Sequence, residues 1–216
     1  MRREFRIPSR GQLLHAVLDM PDTPGRHPGL LICHGFTGNS GEEGFFRITD
    51  EACENGFAVL RMDFAGSGKS TSDFTECTYL QGWKEDILSA AEWMAQSSYI
   101  DGTRMAVLGH SMGGAAAVAA AESWPFTALA GWAPVLDMPV TFRKIIGKDH
   151  YEYLLGHPGE TYSSVYDGAE YTVNSRFVRD AEEAGIPGAV MNSRAKRILF
   201  LTGDMDPVVD TGTAEG

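Results

Sequence analysis

A series of short apolar runs punctuates the chain without alternating apolar and polar residues. They are Gly29-Leu30-Leu31-Ile32-Cys33, Phe57–Met62, Met105–Leu108, Ala128–Trp132 and Ile198–Leu201. A half-wet strand alternates, so unbroken runs of this length predict strands covered on both faces. Helical spacing fills the gaps between them. Phe45, Ile48 and Ala52 fall at i, i+3 and i+7, with Asn55-Gly56 as a C-terminal cap. Leu80, Trp83, Ile87, Ala91 and Met94 trace one stripe, and Gly113–Glu122 is an alanine-rich segment suited to a closely packed helix. At the start, Glu4–Ile7 and Leu13–Asp19 flank Ser9-Arg10-Gly11, a hairpin signal. Strands alternating with helices predict an α/β fold, with a mostly parallel sheet and helices on both faces.

The rhythm breaks from Leu136 to Asn192, where no buried strand is evident and Tyr151, Tyr153, Tyr162, Tyr166 and Tyr171 crowd together. A structureless loop of that length does not suit a compact domain. Residues 136–192 are therefore expected to form a mixed helical insert, with Asn174–Ala184 its clearest helix. Two readings stand for it: a lid whose aromatics line a pocket, with Tyr151 and Tyr153 as substrate contacts, or a packed subdomain whose tyrosines serve stability. The rest of residues 1–216 reads as one domain around it.

Composition narrows the function. With 216 residues the chain can bury a sizeable core, and its formal net charge of −11 disfavours nucleic acid and anionic membrane surfaces as partners. No apolar run approaches the ~20 residues of a bilayer span, and the basic start lacks the apolar stretch of a signal peptide. Cys33, Cys53 and Cys77 are scattered, without zinc-site spacing. They suit a reducing compartment, so a cytoplasmic location and no metal are expected.

Three segments carry chemistry. Gly109-His110-Ser111-Met112-Gly113 fits G-x-S-x-G and stands between an apolar strand and the alanine-rich helix, as a nucleophile elbow requires. The glycines allow a sharp turn that holds Ser111 strained, and the following helix N-terminus favours developing negative charge. His34-Gly35-Phe36 follows another strand; there His34 is expected to hold its turn by local hydrogen bonds. The Phe36 and Met112 amides would be the two donors that acyl transfer needs. Gly203-Asp204-Met205-Asp206-Pro207 follows the last run and offers carboxylates at a strand end, where α/β sheets place catalytic groups. Asp206 is the expected acid, and Asp204 the residue that shapes the turn.

With Arg61-Met62-Asp63-Phe64-Ala65-Gly66-Ser67-Gly68-Lys69-Ser70, these segments resemble the α/β-hydrolase family in the family's order. The resemblance spans nearly the whole chain and is greatest to small serine esterases of the cinnamoyl/feruloyl type. It implies Ser111 as nucleophile, Asp206 as acid, Phe36 and Met112 as oxyanion hole, an ester substrate and no cofactor. A peptidase or acyl-peptide hydrolase of the same fold is the alternative. The family places its histidine after the acid, whereas the six histidines here, His15, His27, His34, His110, His150 and His157, all precede Asp206. The final strand, catalytic histidine and closing helix are thus expected to lie outside this chain. Failing that, the chain is an inactive binding module, or His150 or His157 serves as a substitute base. A sheet edge left bare in this way predicts self-association.

Overall fold

The computed structural model describes residues 1–209. The elements run β1 (Arg2–Ser9), β2 (Gln12–Asp19), β3 (His27–Cys33), α1 (Glu43–Glu54), β4 (Ala58–Met62), α2 (Phe74–Cys77), α3 (Leu80–Gln96), β5 (Ile100–His110), α4 (Met112–Ala121) and β6 (Ala128–Trp132). Then come α5 (Met138–Ile146), α6 (Lys148–Gly156), β7 (Thr161–Tyr166), β8 (Ala169–Asn174), α7 (Ser175–Glu182), α8 (Ile186–Met191) and β9 (Ile198–Leu201).

The central sheet has the order β1-β2-β4-β3-β5-β6-β9. β1 and β2 form the antiparallel hairpin expected around Arg10-Gly11, and β2 meets β4 antiparallel. From β4 onward every pairing is parallel. Each apolar run named from the sequence is a strand of this sheet. The helical stripe Leu80, Trp83, Ile87, Ala91 and Met94 is buried along α3, and α4 is buried along its whole length.

The two faces are unequal. On the α3–α4 side a continuous core joins Leu31, Leu60, Met62, Trp83, Val107, Val118 and Phe126. On the α1 side the buried cluster is only Ile32, Phe45 and Val59. Next to it an apolar groove of about 840 Å³ stays open between Ile48, Ala52, Phe57, Leu108, Trp132 and Leu201. Ile198, Leu199 and Leu201 are 40–56% exposed. This departs from coverage on both faces: among the described residues β9 is the edge strand, and no helix packs over its α1 side.

The insert carries the helices α5 to α8, as expected of a mixed helical insert, and adds a hairpin that was not expected. Its centre is an antiparallel hairpin, β7 paired to β8 from Thr161–Asn174 to Tyr166–Ala169. Asp167-Gly168, both at positive φ (49° and 77°), closes the turn. An Asp-Gly pair between alternating residues is a strong hairpin signal, and the crowd of tyrosines obscured it. The expected helix at Asn174–Ala184 is present as α7, with the Asn174 side chain capping the Arg176 and Phe177 amides.

Candidate active site

The ends of β3, β5 and β9 open at one edge of the sheet, and the three chemistry-bearing segments follow them. A cavity of about 330 Å³ lies there, lined by Gly35, Phe36, Thr37, Glu42, His110, Ser111, Tyr166, Asp167 and Asp206, among others. Of the expected catalytic residues, the cavity wall brings together Ser111, Asp206 and Phe36.

Ser111 sits between β5 and α4 with φ 53° and ψ −122°. A non-glycine residue in this region is strained, by roughly 1–3 kcal/mol, and the surrounding backbone holds it there. Its amide donates to the Trp132 carbonyl (2.9 Å), while its carbonyl accepts from Gly114 (2.9 Å) and Val135 (3.1 Å). The flanking glycines are required by close approach. A Cβ at Gly109 would lie 2.6 Å from the Gly114 Cα, and one at Gly113 would lie 2.8 Å from the Cys33 carbonyl oxygen. Met112 opens α4, so its amide is one of the helix's unpaired N-terminal donors. Neither it nor the Phe36 amide donates to another described group.

The loop that carries Phe36 is braced from behind. His34 is fully buried, with Nδ1 at 2.8 Å from the Gly35 carbonyl oxygen and Nε2 accepting the Phe64 amide at 3.1 Å. Both ring nitrogens are thus engaged by backbone in the neutral form, and burial pulls the pKa down to about 4. His34 is therefore a turn-holding residue, as expected. Asp63 pins the same corner, accepting the Ser40 amide (2.6 Å) and the Lys69 amide (2.9 Å) and contacting His15 Nδ1 (2.9 Å). Burial pushes its carboxyl up, but these hydrogen bonds outweigh burial and hold it below the ordinary range. The Phe36 ring, 6% exposed, meets Phe74, Phe142, Tyr171 and Phe177.

Asp206 follows β9 and is half-buried, whereas Asp204 is exposed. The Asp206 carboxylate accepts the Val208 and Val209 amides at 2.9 and 3.0 Å through one oxygen. His110 packs on Trp132 with ring centroids 4.8 Å apart. Its Nδ1 is buried without a hydrogen-bond partner, 4.0 Å from Glu42 Oε2. Burial lowers the His110 pKa, and Asp206 opposes that shift.

The expected substrate contacts Tyr151 and Tyr153 are corrected by the structure. Tyr151 is fully buried away from the cavity, donating to the Val178 carbonyl at 3.2 Å with Arg143 over its ring. Tyr153 is exposed and stacks on His157 at 4.0 Å. Both lie on α6, whose buried side faces α5 and α7. The aromatic of the insert that reaches the cavity is Tyr166, at the hairpin turn. The substitute bases do not reach it either: His150 stacks on Tyr162, His157 Nδ1 contacts the Tyr153 carbonyl oxygen, and neither lines the cavity. Glu42 and Asp167 went unrecognised in the sequence, His110 was read only as part of the elbow motif, and Tyr166 only as one of five crowded tyrosines. Only Asp167 had a local signal, its Asp-Gly turn.

A strained serine between a parallel strand and a helix, an amide loop after β3 and a carboxylate after β9 define an α/β-hydrolase fold. The chain matches the prolyl oligopeptidase family over residues 45–215 and belongs to it. It is 32% identical over 130 residues to an uncharacterized Mycobacterium tuberculosis protein, covering 60% of this chain and 42% of that one. It is 29% identical over 160 residues to the mouse palmitoyl-protein thioesterase ABHD10, covering 72% of this chain and 47% of the relative. Its fold superimposes on Est1E from Butyrivibrio proteoclasticus with ferulic acid bound, at a TM-score of 0.83, 27% identity, and coverage of 98% and 83%. The chain thus spans about half the length of the curated relatives it matches. Among the described residues no helix is long and apolar enough to cross a membrane.

Proposed function

We propose that this chain is the nucleophile-bearing part of a serine ester hydrolase. The observation that carries the reading is Ser111 at φ 53° and ψ −122°, heading α4 in the cavity that Phe36 and Asp206 also line. Ser111 Oγ attacks the ester carbonyl carbon, and its proton passes to a histidine that Asp206 orients and that comes from outside this chain. The carbonyl oxygen becomes an oxyanion held by the Phe36 and Met112 amides. Collapse expels the alcohol, which takes the proton, and leaves an acyl-serine. Water then attacks with the same histidine as base, releasing the acid and restoring Ser111.

The wall formed by Phe36 and Tyr166 suits a flat aromatic acyl or alcohol group. Est1E, with ferulic acid bound, supports that choice. Cys33, Cys53 and Cys77 are free thiols, which supports a cytoplasmic setting. The family match favours a second reading, a peptidase or acyl-peptide hydrolase.

A fluorophosphonate probe tests the nucleophile. In protein extended to include that histidine, the wild type is expected to gain one adduct by intact mass and Ser111→Ala none; an adduct in Ser111→Ala would overturn the assignment. Hydrolysis of an aryl ester beside an aminoacyl anilide separates the two readings, and tight ligand binding without turnover would mark a binding module.

A further inference from the structure

We propose that the insert positions the loop after β3: aromatic side chains of residues 136–192 clasp the Phe36 ring, and that clasp sets where the Phe36 amide points. The inference rests on the serine-hydrolase reading for the chemical role of that amide, and not for the mechanical link itself.

Phe36 belongs to the body of the fold, yet its buried ring is surrounded mainly by the insert. Phe142 of α5 and Tyr171 of β8 meet it edge-on, with ring centroids 5.2 and 5.1 Å away. Phe177 of α7 lies at 5.6 Å and Tyr166 of β7 at 6.2 Å. Phe142 and Phe177 also pack on each other at 4.7 Å, which joins these rings into one unit. Among the described residues, Phe74 of α2 at 5.5 Å is the aromatic that the body adds.

The backbone beside Phe36 needs such a hold. Thr37 is β-branched and stands at φ 62°, a conformation its side chain disfavours. Strain of this kind costs roughly 1–3 kcal/mol and persists only where the surroundings fix the backbone. Local bonds do part of this: the Gly38 amide donates to the Gly35 carbonyl at 3.1 Å, and Thr37 Oγ1 to the Phe36 carbonyl at 2.6 Å. His34 and the Ser40 amide, held by Asp63, anchor the two ends of the loop. Between those ends Phe36 carries the buried side chain, whereas Thr37 is half-buried and Asn39 exposed. Aromatic pairs contribute about 0.5–1.5 kcal/mol each beyond the area they bury, the same order as the strain they oppose.

An oxyanion donor acts through its placement, and about 1 Å of displacement costs on the order of 100-fold in rate. Phe142 and Phe177 do not line the cavity, so they act as positioning residues through the Phe36 ring.

The test uses protein extended to include the histidine, with p-nitrophenyl acetate as substrate. Phe142→Leu and Phe177→Leu, made singly, are each expected to lower kcat and kcat/KM together by at least ~10-fold, with KM within about 2-fold of wild type. Phe126→Leu is the control. It lies equally buried in the α3–α4 core and is expected to lose comparable stability, with kcat kept within about 2-fold. Isotopic labelling of phenylalanine nitrogen alone reads the loop without any chemistry. The order parameter of the Phe36 amide is expected near ~0.85 in wild type and Phe126→Leu, falling toward ~0.6 in the two clasp variants. Phe142→Met and Phe177→Met serve where a Leu variant does not fold, since Met fills irregular gaps. Wild-type kcat in the clasp variants, a raised KM with kcat kept, an equal kcat loss in Phe126→Leu, or an unchanged Phe36 order parameter would each overturn the inference. Wild-type protein with neither turnover nor fluorophosphonate labelling would sink the serine reading alone, because the order parameter still decides the clasp.

Discussion

Gly113 lies against the backbone of His34, so close that a Cβ on the glycine would overlap the His34 carbonyl oxygen. The nucleophile helix and the loop that offers the Phe36 amide are thereby fixed to each other without an intervening side chain. In an exposed helix, glycine to alanine gains stability, by up to about 1 kcal/mol. Here Gly113→Ala is expected to lose at least ~2 kcal/mol, because a methyl group has no room between two backbones. Urea unfolding gives the sign directly; a gain would show that the two loops yield easily.

Ser111 illustrates the opposite balance. Its positive φ favours glycine by about 1–2 kcal/mol. Ser111→Gly is expected to melt at or above the wild-type temperature while losing fluorophosphonate labelling. A clear drop in melting temperature would mean that the serine side chain, and not the elbow backbone, stabilises this turn.

His34 makes stability depend on pH. Its folded pKa is about 4 against an ordinary value of 6.5, so below pH 6.5 the unfolded chain takes up the proton first. Stability from this group is complete above about 6.5 and drains away as pH falls toward 4, by about 3 kcal/mol in all. Unfolding free energies at successive pH values would show the slope. His34→Gln is expected to be less stable at neutral pH and to lose that part of the slope; a slope equal to wild type would assign it to other groups.

Tyr151 is expected to matter for folding only. Tyr151→Phe removes the hydroxyl that donates to the Val178 carbonyl and is expected to cost about 1 kcal/mol. Labelling of Ser111 should proceed at the wild-type rate, and a changed rate would return Tyr151 to the pocket.

The bare edge and groove are expected to make the isolated chain associate. Leu199→Lys and Leu201→Lys, each placing a charge on an exposed edge-strand residue, should shift sedimentation toward monomer. Association unaffected by either would point to another surface.

The parts legible in the sequence were those written in local pattern. Unbroken apolar runs gave the parallel strands, and the spacing of Leu80, Trp83, Ile87, Ala91 and Met94 gave α3. Gly109 to Gly113 carried the elbow because close backbone approach leaves room for nothing but glycine. What stayed hidden depended on distant partners. Tyr151 and Tyr153 stand two apart on one helix, yet one is buried and the other exposed, and neither reaches the cavity. Glu42 and Asp167 line one cavity only because a loop and a hairpin tip fold to the same edge. The open side of the sheet was equally invisible, since a strand's apolar run looks the same whether or not a helix covers it.

Trp132 connects that open side to the chemistry. Its ring forms part of the groove wall and packs on His110, while its carbonyl oxygen receives the Ser111 amide. Outer surface and nucleophile therefore share one residue. Whatever settles into the groove touches the ring of the residue whose carbonyl holds the serine amide, so the cover of the sheet and the pose of the nucleophile have a wall in common.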